Sequence, residues 1–194
     1  MATGLILAGG AGSRVGRRDK GLLLWQGRPL AAWVTQRLDP QVGSLIISCN
    51  RNSTAYRRLA ARTVTDSRTG YQGPLAGIEA AAPLVQTPFL VLTACDTPDI
   101  PANLVQRLLL PLLAADEIEI SYVNDGERDQ YLCAALRREC LPSLTPYLDG
   151  GGRAVRHWYH SRKFARVDFG DCAMNFRNFN RGLEDGSLTP DCPE

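Results

Sequence analysis

Short apolar runs alternate with stretches of helical periodicity along most of this chain. Leu5 to Ala8 is apolar throughout and enters a glycine cluster, the layout of a buried strand feeding a loop. Pro29 to Leu38 places apolar residues at helical spacing, with a proline suited to the first turn and Pro40 beyond the end. Ser44 to Cys49 reads as a second strand, and Asn52 or Ser53 can cap the short helix that follows. Thr63 to Thr65 predicts a brief strand ending at Asp66. Pro74 to Val85 predicts an alanine-rich helix, and Phe89 to Cys95 a continuous apolar strand ending at Asp96. Pro101 to Ala114 predicts another helix, which Pro111 should bend or end.

Strands alternating with helices imply right-handed crossovers and a mainly parallel sheet covered on both faces. The expected class is therefore α/β, a three-layer Rossmann-like arrangement. The later chain differs. Ile118 to Asn124 and Tyr131 to Arg137 read as strands joined by the polar turn of residues 125–129, too close for a helical crossover. At least one antiparallel element is expected there. Phe164 to Phe169 and Asn175 to Phe179 read as further short strands. In open parallel sheets, ligands bind at the carboxyl ends of the strands. The glycine loop, Asp66 and Asp96 each follow an apolar strand run, so one rim of the sheet should carry all three.

The chain has 194 residues, which predicts a single domain over residues 1–185 with a loose tail at 186–194. It is 44% hydrophobic and 22% charged, ordinary for a globular protein, and its net charge of +2 argues against nucleic acid or an anionic membrane as partner. The positive charge that matters is local, in Arg14, Arg17, Arg18 and Lys20. No apolar run is long enough to span a bilayer, and Met1-Ala2-Thr3 leads straight into the first strand without a leader-like layout. Six cysteines, at 49, 95, 133, 140, 172 and 192, show no paired metal spacing. Reduced, mostly structural thiols in a cytoplasmic protein are expected.

The densest chemistry lies between Leu7 and Lys20. A loop with few bulky side chains lets backbone N–H groups approach phosphate oxygens, and Arg14 and Lys20 supply countercharge. Counting excludes two familiar loops. A dinucleotide fingerprint beginning at Gly10 and Gly12 needs a third glycine where Val15 stands, and no glycine here precedes a Lys-Ser or Lys-Thr pair. What remains is L-A-G-G-x-x-x-R-x-G-x-x-D-K. In the segment C-D-T-P-D-I-P, Asp96 ends a buried strand and is placed to anchor a divalent cation, with Asp99 a weaker candidate. Gly73-Pro74 opens a helix whose free N–H groups can meet a base or anion. His157 and His160 stand three apart on a predicted helix but lack the further ligands zinc requires.

These segments, L-A-G-G-A-G-S-R-V-G-R-R-D-K-G-L-L, G-R-P-L, G-P-L-A-G, C-D-T-P-D-I-P, N-D-G-E-R-D and a late N-F-N, occur in an order that resembles the molybdenum cofactor guanylyltransferases over roughly residues 4 to 180. The glycine loop alone indicates only the wider nucleotidyltransferase superfamily; G-P-L-A-G and C-D-T-P point to the guanylyl branch. The resemblance implies GTP on Leu7, Ala8, Gly9 and Lys20 and again at Asp66 and Asp96; Gly10, Asn50 and Gly73 are further candidate GTP contacts. It implies Mg²⁺ at Asp96, and molybdopterin at Arg153, Asn178 and Asn180. Cofactor-insertion or molybdoenzyme maturation proteins are the partners it suggests. The chain departs from the family in Val15 for methionine, in Ser48 where an asparagine is common (Asn50 stands two positions on), in Gln130-Tyr131-Leu132, and in Arg181-Gly182 after Asn180.

The implied reaction is displacement at the α-phosphorus of GTP by the terminal phosphate of molybdopterin. Arg14, Lys20 and Asp96 would be its catalytic residues. Phosphoryl and nucleotidyl transfers rely on positioning and charge stabilisation, and the chain has no activated Ser-His or Cys-His arrangement that would suggest a covalent route. The alternatives are CMP transfer to the same pterin, activation of a sugar phosphate, or a non-catalytic nucleotide-binding regulator.

Overall fold

The computed structural model describes residues 1–10, 19–70, 72–179 and 188–189. In chain order its elements are β1 (Ala2–Leu7), β2 (Leu24–Trp25), β3 (Arg28–Pro29), α1 (Leu30–Leu38), β4 (Ser44–Ser48), α2 (Ser53–Arg57), β5 (Arg62–Val64), α3 (Pro74–Ala81), β6 (Phe89–Ala94), α4 (Leu104–Ala114), β7 (Ile120–Asn124), β8 (Asp129–Arg137), α5 (Leu144–Asp149), α6 (Val155–His160), β9 (Phe164–Asp168) and β10 (Leu188–Thr189). The main sheet has the order β5-β4-β1-β6-β8-β7-β9. β5, β4, β1 and β6 run parallel, β8 is antiparallel to β6 and β7, and β9 is parallel to β7. The fold is α/β: the main sheet is mainly parallel with β8 antiparallel, as the alternation of patterns predicts, and β10, β2 and β3 form a small antiparallel sheet.

Strand alternation divides the core into two layers. Ile6, Ile47 and Val91 face one side, packing against Val34 and Leu38 of α1, Tyr56 of α2, and Leu104 and Leu108 of α4. Leu5, Ile46 and Leu92 face the other, against Leu75 and Ile78 of α3, Leu144 and Leu148 of α5, and Trp158 and Tyr159 of α6. Successive side chains point to opposite faces of a strand, so a strand covered on both sides must be apolar at every position. That is why Leu5 to Leu7 of β1 and Phe89 to Leu92 of β6 read as unbroken apolar runs. Each Leu or Ile buried this way contributes about 1.5–3 kcal/mol.

Three local expectations change. Asn175–Phe179 is not a strand: Gly170–Phe176 forms 3₁₀ turns, and the Asn175 side chain donates to the Asp99 carbonyl at 2.6 Å instead of leaving its backbone to a sheet. Pro111 does not end α4, which runs to Ala114, where the N–H of Ala115 closes on the Pro111 carbonyl. A proline there deletes only its own N–H bond, and Leu108 and Leu112 stay fully buried beside it. Asn52 precedes α2 with φ 52° but makes no side-chain cap; its amide goes to Asp19. In the tail, Leu188 and Thr189 pair antiparallel with Trp25 and Leu24.

The turn between β7 and β8 is held by Asp125. Its carboxylate accepts from the N–H groups of Glu127 and Arg128 at 3.0 and 2.8 Å and from the Gln130 amide at 2.6 Å. Among the described residues no helix is long and apolar enough to cross a membrane.

Candidate active site

Because β1, β4, β5 and β6 are parallel, their carboxyl ends form one rim. Gly9 and Gly10 follow β1, Asn50 follows β4, Asp66 follows β5 and Asp96 follows β6. Leu7 is the last residue of β1, and the N–H of Ala8 donates to the Ser48 carbonyl at 2.8 Å, which extends the sheet pairing into the start of the loop. Arg14 lies outside the described residues, as does Asn180.

Lys20 and Asp96, 76 positions apart, meet as an ion pair through Nζ and Oδ2, both side chains largely but not wholly screened from solvent. Lys20 reaches there because the residue before it is anchored. Asp19, with a side chain only 5% exposed, accepts from the Tyr56 hydroxyl at 2.5 Å and from the Asn52 amide at 3.1 Å, with Arg51 at 3.9 Å. The residue after it must be small: a Cβ on Gly21 would lie 2.4 Å from the Tyr56 hydroxyl oxygen. Asp19 stands within the loop pattern with nothing local in the sequence to mark this role. The missed signal is long-range: nothing local marks Tyr56 as the residue beneath the loop.

On the other side of the loop, Asn50 joins two elements. Its Nδ2 donates to the Gly9 carbonyl at 3.2 Å and to Asp66 Oδ2 at 2.8 Å, while its Oδ1 accepts from the Asp66 N–H at 3.0 Å. Asp66 Oδ1 is buried and has no hydrogen-bond partner among the described residues. Burial pushes the Asp66 carboxyl upward, the Asn50 hydrogen bond pulls it back, and the nearby Glu79 charge adds to the rise. A buried acceptor without a donor is costly, and a ligand with N–H groups would relieve it.

Gly73 precedes Pro74 at the start of α3, and a Cβ there would approach the Arg153 carbonyl at 3.9 Å. The backbone of Arg153 therefore lies beside α3, although its guanidinium is turned to the carbonyls of Leu148 and Gly152 at 2.7 and 2.6 Å. Asn178 is exposed and lies beside the Asp96 turn: its Oδ1 accepts from the Thr97 hydroxyl at 3.4 Å, and the next N–H, of Phe179, donates to the Asp96 carbonyl at 3.0 Å. Asp99 is occupied elsewhere, accepting from Arg37 at 3.0 Å. The four buried thiols of Cys49, Cys95, Cys133 and Cys140 are all raised by burial, Cys133 and Cys140 to about 12, so none is a ready nucleophile. A cavity of about 730 Å³ is lined by Thr65 and Ser67, the neighbours of Asp66, and by Glu79, Arg138, Leu141 and Thr145 among others.

The MobA-like NTP transferase domain family matches residues 4–164. A molybdenum cofactor guanylyltransferase of Cupriavidus necator is 43% identical over 182 residues, covering 92% of this chain and 91% of that protein; one from Shewanella sediminis is 36% identical over 176 residues, covering 91% and 89%. Among solved structures, a molybdopterin-guanine dinucleotide biosynthesis protein A from Archaeoglobus fulgidus superposes with a TM-score of 0.73 at 19% identity, covering 92% of both chains. That last likeness speaks for the fold. The rim, the loop and the matches over most of its length agree: the chain belongs to the MobA-like NTP transferases, and within them to the molybdenum cofactor guanylyltransferase family of nucleotidyltransferase enzymes.

Proposed function

We propose that this chain transfers GMP from GTP to the terminal phosphate of molybdopterin, releasing pyrophosphate and forming molybdopterin guanine dinucleotide. The observation that carries the reading is the meeting of Lys20 and Asp96 beside the glycine turn, a cation and a carboxylate brought to one rim from opposite ends of the first hundred residues. The names of the relatives at 42–43% identity support guanine as the base and molybdopterin as the acceptor.

In the step, an oxygen of the acceptor phosphate forms a bond to the α-phosphorus, and the bond from that phosphorus to the bridging oxygen breaks, leaving pyrophosphate. Lys20 places a positive charge where negative charge builds on the triphosphate, and the N–H groups of the glycine turn orient its oxygens. Asp66 Oδ1 offers an acceptor to the donor groups of the base or ribose. Asn178 and Arg153 lie on the acceptor side, with Asn178 seated against the turn that carries Asp96.

Asp96 fits a Mg²⁺ ion. Magnesium is held by one or two carboxylates with substrate phosphates and water completing its shell, and among the described residues no group of three or more His, Cys, Asp and Glu forms an all-protein cage. A partly exposed carboxylate at a strand end suits that partial coordination. Bound there, the ion would neutralise charge on the phosphates. Turnover with each of GTP, CTP, ATP and UTP in the presence of molybdopterin and Mg²⁺ tests the reading. GTP should give the dinucleotide fastest; a preference for CTP would make the chain a cytidylyl enzyme.

A further inference from the structure

We propose that Asn50 is a positioning residue, which clamps Asp66 to the first glycine of the loop and has no N–H left to give the nucleotide. This rests on the functional reading above and reassigns a side chain that the sequence places among the nucleotide contacts.

The argument is one of hydrogen-bond capacity. An asparagine amide has two N–H donors and one carbonyl oxygen. Here Nδ2 serves the Gly9 carbonyl and Asp66 Oδ2, and Oδ1 takes the N–H of Asp66. Both donors are spent, and one of the two lone pairs of Oδ1 is taken. Chemistry also fixes the orientation. Rotated by half a turn, the amide would set its oxygen against a carbonyl and a carboxylate, and its NH₂ against an N–H.

The clamp has two consequences for the rim. It occupies Oδ2 of Asp66 and leaves Oδ1 as the buried, unpartnered atom that a ligand can use. It also sets the distance between the ends of β1 and β5, which are not neighbours: β4 lies between them in the sheet. Asn50, two residues past the end of that middle strand, reaches both with one amide. Close packing leaves no slack, since a Cβ on Gly9 would stand 3.1 Å from Asn50 Nδ2. The acceptor-side residues Asn178 and Arg153 make none of these bonds.

A double-mutant cycle tests the assignment. GTP affinity is measured by equilibrium titration, with Mg²⁺, for the wild type, Asn50→Ala, Asp66→Ala and the double variant. Groups that act through each other give losses well short of the product of the single losses, whereas independent contacts multiply. We expect the double variant to fall short of that product by about fivefold or more. Kinetics should show KM for GTP raised in Asn50→Ala, with KM for molybdopterin unchanged. A simple loss of folded enzyme would lower kcat and move neither KM. Should Asn50→Ala not fold, Asn50→Asp serves instead. It keeps the size and the acceptor for the Asp66 N–H, but it removes both donors and must lose GTP affinity. Losses that multiply to within about twofold, or full affinity in Asn50→Asp, overturn the clamp. A wild type that binds no GTP overturns the functional reading itself, which separates the two failures.

Discussion

The backbone N–H of Phe179 donates to the carbonyl oxygen of Asp96 at 3.0 Å, joining the late asparagine segment to the turn after β6. The Phe179 ring lies 4.8 Å from Trp25, which in turn packs at 5.3 Å on Trp33, and the Trp33 indole N–H donates to the Trp25 carbonyl. The segment is thus held from both sides. A carbonyl that accepts a hydrogen bond from the acceptor segment belongs to the same residue whose carboxylate pairs with Lys20. On the proposed assignment, the two substrate halves of the site share one residue.

That placement predicts an asymmetric effect for Asn178→Ala. The side chain is exposed and makes a single long bond to Thr97, so its removal should cost little in folding. Loss of one hydrogen bond to a ligand corresponds to about 0.5–1.5 kcal/mol, or roughly two- to twelvefold in affinity. Molybdopterin binding should weaken by that amount and GTP binding should stay within about twofold, each measured by separate equilibrium titration. If GTP affinity falls and pterin affinity survives, the two halves have been assigned the wrong way round.

Beneath the loop, Gly21→Ala should be far more damaging than an exposed glycine substitution. The new methyl would meet the hydroxyl of Tyr56, a fully buried residue already bonded to Asp19. Neither can move without breaking the other, and overpacking of this kind costs about 1–3 kcal/mol. Thermal unfolding should show a lowered Tm, and the variant should lose activity with it because Lys20 is the neighbouring residue. An unchanged Tm would mean that Tyr56 has room to swing aside.

Acid should weaken the fold through Glu79. Its carboxylate takes two hydrogen bonds from Arg68, at 2.6 and 2.8 Å, and one from Thr145 at 2.7 Å; the Arg68 bonds hold its pKa below the ordinary 4.5 against the upward push of burial. For an acid with a depressed folded-state pKa, the stabilisation is complete above the unfolded value and is lost as pH falls through the folded one. The Tm difference between wild type and Glu79→Gln should therefore be largest near neutrality. It should shrink as the pH drops below 4.5. A difference constant from pH 7 to pH 3 would show that Arg68 and Glu79 are not coupled in this way.

The sequence carried the parts of this fold that depend on local pattern. β1, β4 and β6 were legible because strands buried on both faces carry apolar residues at successive positions, and the polar residues that follow them mark the rim. The hairpin of β7 and β8 was legible because its turn is built from side chains that bond their own backbone, above all Asp125. Pairings between distant short segments were not. β2, β3 and β10 are two residues each, and nothing within Leu24–Trp25 indicates that Thr189 lies alongside. In the site, Lys20 and Asp96 were chosen for charge and position, and they meet. Arg153 was chosen by resemblance, and its guanidinium is committed to carbonyls at the end of α5. The pairings of Asn50 with Asp66 and of Tyr56 with Asp19 span 16 and 37 positions, so only the folded chain reveals them.

The central claim is that the rim joining Gly9, Lys20 and Asp96 moves the α-phosphate of GTP to molybdopterin. Incubation of the enzyme with molybdopterin, Mg²⁺ and GTP labelled at the α-phosphorus measures this directly. The label should appear in the dinucleotide product and pyrophosphate should be unlabelled. Lys20→Ala should slow the transfer by ~100-fold or more, the scale of losing one preorganised group that stabilises transition-state charge, and Asp96→Asn should abolish it with the fold intact. Label that remains in GTP, or transfer at the wild-type rate in Asp96→Asn, would contradict the account.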